Sequence, residues 1–540
     1  MKKIEKIYQS LAKNWFWFSF VILAIIAFLV FSYFQYSATF ADPDSFYHAK
    51  ASLLIRDQGV STHFPWLQDT VLRDSYTDQH FLYHIFLIPF VTFFDPLVGI
   101  KLATVFLGTI LILVFYALLR RLQVRGAYLF SLILLLINPF TFRISLAKAP
   151  SVSLIFLILG LYFIFSRRPK WLFFISFLYV WFYGGFILIM AATLIYLFVG
   201  LVYDRWWKKN EPHRFLEKIF ALLGRSHRFR EKKRNNLKIF LAVLLGLIAG
   251  LVVNPYFPKN FGFYYHQLIK IGIINYSKII GVGGEWYHYK FFDLITDTMS
   301  VSVILVIALI LFFICIKRQS KISFTLFFIY ILFFIFTLKS RRYVEYYVPF
   351  ALLFASVSLR DSLAHLNFKK YLSAFKSAYF KNIWSKLFIS LFILYLGIIL
   401  PVIIVRDFKA QRRDLSNGIP FNKYYQVSQW LIGNSAAGTI VIHSDWDDFP
   451  VLFYHNSHNY YIVGLDPTFM YEYNKDLYWK WVDLTTGKEV PDLYEVVKNE
   501  FKASYLVIEK DHGGMYRFVS QTKNFGLVYE DNEVYLYQVN

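Results

Sequence analysis

The sequence predicts a polytopic α-helical membrane protein of about eleven spans followed by a C-terminal soluble α/β domain. Three observations carry that prediction. Hydrophobic residues make up 57% of the 540, aromatics 21% and charged residues 17%, whereas a soluble globular chain keeps charged residues near a quarter. Apolar runs recur through residues 1–405, and basic clusters fall at every second connection between them, as Lys and Arg do where they set orientation. The net charge of +22 is then explained by orientation, with no nucleic-acid partner required. The single cysteine, Cys315, lies inside an apolar run, which excludes disulfide frameworks, zinc ribbons and thiol relays.

In chain order, Lys2, Lys3, Lys6 and Lys13 precede an apolar run from Trp15 to Tyr36. It is too long for a signal peptide's apolar region and is expected to be a signal anchor with its N-terminus inside. Further runs fall at 97–119, 127–140, 152–165, 171–186, 188–203, 239–253, 301–316, 323–338, 346–357 and 387–405. Arg120, Arg121 and Arg125; Arg167, Arg168 and Lys170; the stretch 205–238; Lys317, Arg318 and Lys321; and the lysines from Lys369 to Lys386 all fall on the side of the N-terminus. That parity makes 81–94 a short interfacial or re-entrant helix and puts everything from Arg406 outside. The expected division is a transmembrane domain over 1–405, with outer loops 37–96 and 254–300, and an extracytoplasmic α/β domain over 406–540. The chain is expected to be a multi-pass protein of the cell's inner or plasma membrane.

In the last part, helices are expected near 424–432, 471–481 and 493–501, strands at 439–442, 460–463 and 505–508, and a terminal hairpin turning at Asp531-Asn532.

Residues with chemical potential concentrate in the outer segments. Asp42-Pro43-Asp44 follows the first span, where hard cations such as Mg²⁺ take carboxylate oxygens and bridge phosphates. The same residues can simply end the span and start the next helix at Pro43. Asp445-Trp446-Asp447-Asp448 follows an expected strand, a usual place for site residues in α/β domains, though also that of an acidic helix cap. His80 and His84 lie one helical turn apart and could bind zinc, but no third ligand is identifiable. Arg341 and Arg342 end a span on the outer side, against the orientation rule; Arg suits bidentate phosphate contact, and pairing with Glu345 is the structural alternative.

These parts, in this order, resemble the catalytic subunit of oligosaccharyltransferases, the STT3 family, and more widely the GT-C class of polytopic glycosyltransferases. The likeness rests on Asp42-Pro43 after the first span, Phe64-Pro65-Trp66 in the first outer loop, Asn138-Pro139 with Arg143, a later loop with Glu285 in Gly281-Val282-Gly283-Gly284-Glu285-Trp286, the Arg342-Tyr343 turn, and an acidic-aromatic motif after the first C-terminal strand. It implies a GT-C fold and a polyprenyl phosphate or pyrophosphate donor. It further implies a protein or glycan acceptor and a divalent metal, Mg or Mn. Asp42 and Glu285 would be catalytic, with Asp42, Asp44 and Glu285 as metal ligands. Arg342, Arg143 and Lys148 would bind the donor phosphate, and Asp445, Trp446, Asp447 and Asp448, as a remote form of the acceptor motif, the acceptor. Membrane lipids complete the expected partners.

The resemblance breaks at two places. The second acidic motif should follow Arg143, but Lys148 stands where a carboxylate is expected; a lysine neutralises phosphate directly, so fewer metal ligands are needed. The acceptor motif lacks its Trp-Trp pair, so transfer to an Asn in a sequon does not follow. Alternatives to a transferase are a non-catalytic binder of lipid-linked glycans, which Lys148 favours, and a transporter or flippase, which the scarcity of ionisable residues at mid-span disfavours.

Overall fold

A computed structural model describes residues 2–203, 236–364 and 383–540. The basic stretch 205–235 and Lys369, Lys370, Lys376 and Lys381, all used in the orientation argument, lie outside the described residues.

Four helices are long and apolar enough to cross a membrane: Trp17–Gln35, Pro96–Arg121, Gly184–Val202 and Lys321–Lys339. Two bent pairs bring the number to six if each is one broken span: Ala127–Leu134 with Asn138–Ser145, at 69°, and Phe291–Asp297 with Met299–Ile314, at 102°. The chain is thus integral to a membrane. The sequence count was higher because it also took in shorter apolar helices, among them Pro150–Phe165, Pro169–Phe182 and Asn236–Val252. Phe81–Phe93 is a separate short helix, as expected for that run.

Prolines set the breaks that matter for the site. The run expected as one span over 127–140 stops where Pro139 enters the first turn of Asn138–Ser145, a position that needs no backbone N–H. Pro150 likewise opens Pro150–Phe165. The stretch between these two helices, with Leu146 extended, carries Lys148. Arg143, in the last turn of the earlier helix, is buried. Proline thus places two cations at adjacent helix ends.

The segment after the first helix is tied to the C-terminal region. Strand β1 (Thr39–Phe40) pairs antiparallel with β2 (Ile419–Pro420), Phe40 opposite Ile419. Gly418 makes the approach possible, since a Cβ there would sit 2.3 Å from the Phe40 carbonyl oxygen. The helix Leu400–Ser416 leads into β2. A five-stranded sheet follows, formed by β3 (Ile440–His443), β4 (Tyr460–Tyr461), β5 (Tyr505–Glu509), β6 (Phe525–Glu530) and β7 (Val534–Val539), in the order β4-β3-β5-β7-β6. Strand β3 is parallel to β4 and β5, whereas β7 is antiparallel to β5 and β6. The β6–β7 turn is closed by Asp531, whose Oδ1 accepts the N–H groups of Glu533 and Val534 at 2.7 and 2.9 Å. Helices Phe449–His455 and Gly513–Gln521 were not expected from the sequence.

The 37–96 segment extends the sheet. Leu67 forms a parallel bridge with Tyr461, the Tyr461 N–H donates to the Trp66 carbonyl at 2.8 Å, and the Gln68 N–H donates to the Tyr461 carbonyl at 2.8 Å. Phe64 stacks on Tyr76 at 4.7 Å and packs on Phe453 at 5.5 Å. Phe64-Pro65-Trp66 is therefore a packing element, and one hydrophobic core runs from the membrane helices into the near side of the sheet. A second core, with Ile442, Leu506, Ile508, Met515 and Val519, lies on the other side.

Candidate functional site

Six of the sequence-nominated residues meet where these elements converge. Asp42 precedes the helix Asp44–Gln58, and its Oδ1 accepts the Asp44 N–H at 3.0 Å, so both carboxylates are fixed at one helix start. Lys148 Nζ lies 2.6 Å from Asp42 Oδ2 and 2.7 Å from Asp44 Oδ2. Burial alone would lower the Lys148 ammonium's affinity for its proton, but the charges of Asp42 and Asp44 outweigh it and hold the group protonated. Burial raises the carboxyl of Asp44, with the Lys148 charge opposing.

A second ion-pair array stands beside the first. Glu285, in the short turn Gly284–Trp286, takes a close contact from Arg143 Nη1 through Oε2 and lies 3.3 Å from Arg342 Nη1 through Oε1. Arg143 Nε also lies 2.9 Å from Glu345 Oε2. Burial would raise the Glu285 carboxyl, but the guanidinium groups of Arg143 and Arg342, with Lys148, drive it well below the usual carboxylate range. Arg342 Nη2 donates to the Tyr183 hydroxyl at 3.1 Å, and its guanidinium lies 4.4 Å from the Trp286 ring centroid. The Ser340 hydroxyl donates to the Glu285 carbonyl at 2.9 Å, which ties the Glu285 turn to the Arg342 turn. The suggested Arg342–Glu345 pair is replaced by a cross-over, with Glu345 on Arg143 and Arg342 on Glu285.

The acidic-aromatic motif divides by role. Asp445 and Asp448 hold each other's turn as a capping box. Asp448 is buried, with Oδ1 accepting from the Tyr424 hydroxyl at 2.6 Å and Oδ2 accepting the Asp445 N–H at 2.9 Å. Their oxygens shape the motif. Asp447 faces the array instead: burial first, then the charges of Asp445, Asp42 and Asp44, push its carboxyl up to about 9, against the opposing charge of Lys148. Trp446 packs against Gly283, next to the Glu285 turn.

The expected metal ligands do not fit a divalent cation in this arrangement. The Lys148 ammonium sits between the carboxylates of Asp42 and Asp44, and Glu285 is held by two guanidinium groups. An ion there would require these cations to withdraw. Among the described residues, the donor atoms that do converge within 4.8 Å belong to two other sets, His48 with His80 and His84, and Glu509 with Asp511 and His512.

Sequence reasoning missed Tyr183, and it offered Glu345 as a partner for the neighbouring arginines where the structure pairs it with Arg143 from a distant segment. It also missed His48 as a neighbour of His84, although His48 lies one helical turn beyond Asp44.

No family model matches the chain, and no curated protein matches it in sequence. Solved structures do match. The archaeal oligosaccharyltransferase AglB from Archaeoglobus fulgidus, in complex with an inhibitory peptide and a dolichol-phosphate, is 13% identical with a TM-score of 0.63 over 96% of this chain and 74% of that one. The arabinofuranosyltransferase AftD from Mycobacteria is 12% identical with a TM-score of 0.51, over 96% of this chain and 40% of that one. ArnT from Cupriavidus metallidurans, bound to undecaprenyl phosphate, is 16% identical with a TM-score of 0.50, over 97% and 98%. The site residues therefore stand on the same membrane fold as these three structures, at low sequence identity.

Proposed function

We propose that the chain transfers a sugar or oligosaccharide from a polyprenyl phosphate or pyrophosphate donor to a protein or glycan acceptor on the outer face of the membrane, with residues 406–540 on that face. The observation that carries the reading is the twin array, in which Lys148 on Asp42 and Asp44 adjoins Arg342 and Arg143 on Glu285. Solved proteins of the same fold hold dolichol-phosphate and undecaprenyl phosphate, which supports a lipid-phosphate donor.

An arriving phosphate competes with carboxylates for Arg342 and Lys148. Arg342 offers a planar fork for bidentate contact, and its 3.3 Å pairing with Glu285 is the looser of the two that hold Glu285. In the reaction the acceptor attacks the anomeric carbon as the bond to the phosphate oxygen breaks, inverting the centre. The electron pair leaves on the phosphate, where Arg342 and Lys148 neutralise it. The acceptor's proton passes to Asp42, and Glu285 with Asp447 positions the acceptor. A divalent cation enters no step here.

Asp42→Ala is expected to reduce transfer from a lipid-linked sugar by at least about 1,000-fold, within the range for a general base, while the protein still elutes as a folded particle. Asp44→Ala is expected to be milder. Transfer by Asp42→Ala equal to that of the unmodified chain overturns the reading. Lys148 seated on both carboxylates favours a second reading, a non-catalytic binder of lipid-linked glycan; in that case donor binds but glycans, followed by mass spectrometry, are unchanged on deletion of the protein. Reporter fusions at Arg225 and Asn434 are expected to label opposite faces, and labelling of one face overturns the proposed orientation.

A further inference from the structure

We propose that His48, His80 and His84 form a binding site for a zinc-class divalent transition metal, joining the helix Asp44–Gln58 to the start of Phe81–Phe93. One ring nitrogen from each lies within 4.8 Å of the other two. His48 and His84 are buried, and His48 Nδ1 is 2.7 Å from His84 Nε2. The far nitrogen of His84, Nδ1, is 2.6 Å from Oδ2 of Asp78, whose Oδ1 accepts the His80 N–H at 2.9 Å. A carboxylate behind a histidine fixes its tautomer and turns the other nitrogen's lone pair inward, the usual outer-shell arrangement of a metal-bound imidazole.

The donor set selects the ion. Three imidazoles with no carboxylate oxygen suit zinc, cobalt, nickel or copper, and do not suit magnesium or calcium, which take oxygen. The ring of His80 makes no hydrogen bond to a described residue and packs edge-on against His48 at 5.0 Å.

Without metal, the three groups read as a hydrogen-bonded relay, in which His84 donates to Asp78 and accepts from His48. Metal replaces the proton between the rings. His48 shifts its proton to Nε2, the Nδ1 to Nε2 separation widens to roughly 3.3 Å for a tetrahedral ion at about 2.0–2.1 Å from each nitrogen, and His80 closes the third corner. Three protein ligands leave a fourth position for water or a ligand oxygen.

The inference does not rest on glycosyl transfer, and its test does not measure it. The full chain, purified in detergent and dialysed against chelator, is loaded with Zn²⁺ alone and its bound metal measured by mass spectrometry, then loaded with Co²⁺ and its visible absorption recorded. The expected result is about one equivalent bound, with the intense cobalt bands of a tetrahedral nitrogen site. His80→Gln is expected to lose it and Asp78→Asn to weaken affinity by about 10–100-fold, while His512→Gln at the other convergent set changes nothing. His80 is only half-buried, and elution with metal-free thermal unfolding confirms that its variant folds. No stoichiometric uptake by the unmodified chain, uptake that survives His80→Gln in the folded variant, or uptake lost in His512→Gln each overturns the proposal.

Discussion

Glu285 and Asp447 stand on segments that touch through Gly283 and Trp446, yet one is charged and the other neutral. Burial opposes ionisation of both. Around Glu285 the guanidinium groups of Arg143 and Arg342 overcome it, and the carboxylate stays charged. Around Asp447 the neighbours that count most are carboxylates, Asp445, Asp42 and Asp44, and the group is pushed up to about 9. At neutral pH one is an acceptor of hydrogen bonds and the other a donor. The difference teaches that residue type alone does not assign roles at this site; the nearest opposite charge does.

The strongest way to break the comparison is to remove the cation that Glu285 shares with Glu345. Arg143→Met leaves the buried carboxylate of Glu345 and the half-buried one of Glu285 without their main partner, and a loss of about 3–5 kcal/mol is expected from breaking a buried pair on one side only. Thermal unfolding in detergent should fall accordingly and recover in part in Arg143→Met with Glu345→Gln. Less drastic is Arg342→Lys, which keeps the charge and loses the fork. It is expected to weaken donor binding by about 100-fold, with acceptor KM nearly unchanged in separate donor and acceptor titrations.

Glu285→Gln is expected to raise acceptor KM by about ten-fold while donor affinity holds, the loss of one charge-assisted contact. The smallest effect sharpens the comparison most. Asp447→Asn imitates the protonated carboxyl, so at pH 7 transfer should change by less than about three-fold. Because the folded value lies above the ordinary carboxyl value of 3.8, the folded state binds this proton more tightly. Its stabilising contribution is fully present below the ordinary value and is lost as pH rises through about 9. Unfolding midpoints measured from pH 7 to 10 should therefore decline in the unmodified chain and flatten in Asp447→Asn. A matching decline in both removes Asp447 as the titrating group.

The sequence made much of the scaffold legible, because periodic hydropathy and turn chemistry are local. Strands at 505–509 and the hairpin at Asp531 stand close to where they were expected. The span count was less legible, since apolar runs such as 127–140 conceal proline breaks that split a helix. The site residues Asp42, Lys148, Glu285 and Arg342 were each visible, but their partners were not. Arg143 and Glu285 are 142 residues apart, and Arg143 and Glu345 are 202 apart, so no spacing rule joins them. His80 and His84 suggested one helix face, yet the closest nitrogen to His84 comes from His48, 36 residues earlier.

The short clasp between β1 and β2 bears on when the protein becomes competent. Asp42 lies two residues beyond Phe40, whose strand partner is Ile419, and the Thr39 hydroxyl donates to the Leu415 carbonyl, 376 residues away, at 2.8 Å. A ribosome that has released only the membrane helices has made every ion-pairing residue of the twin array, but not the strand that pins Asp42. Nascent chains arrested before Gly418 should therefore be inert towards a lipid-linked sugar, and chains arrested well past it should not. On that expectation Asp42, the first site residue to be synthesised, is among the last to be set in place.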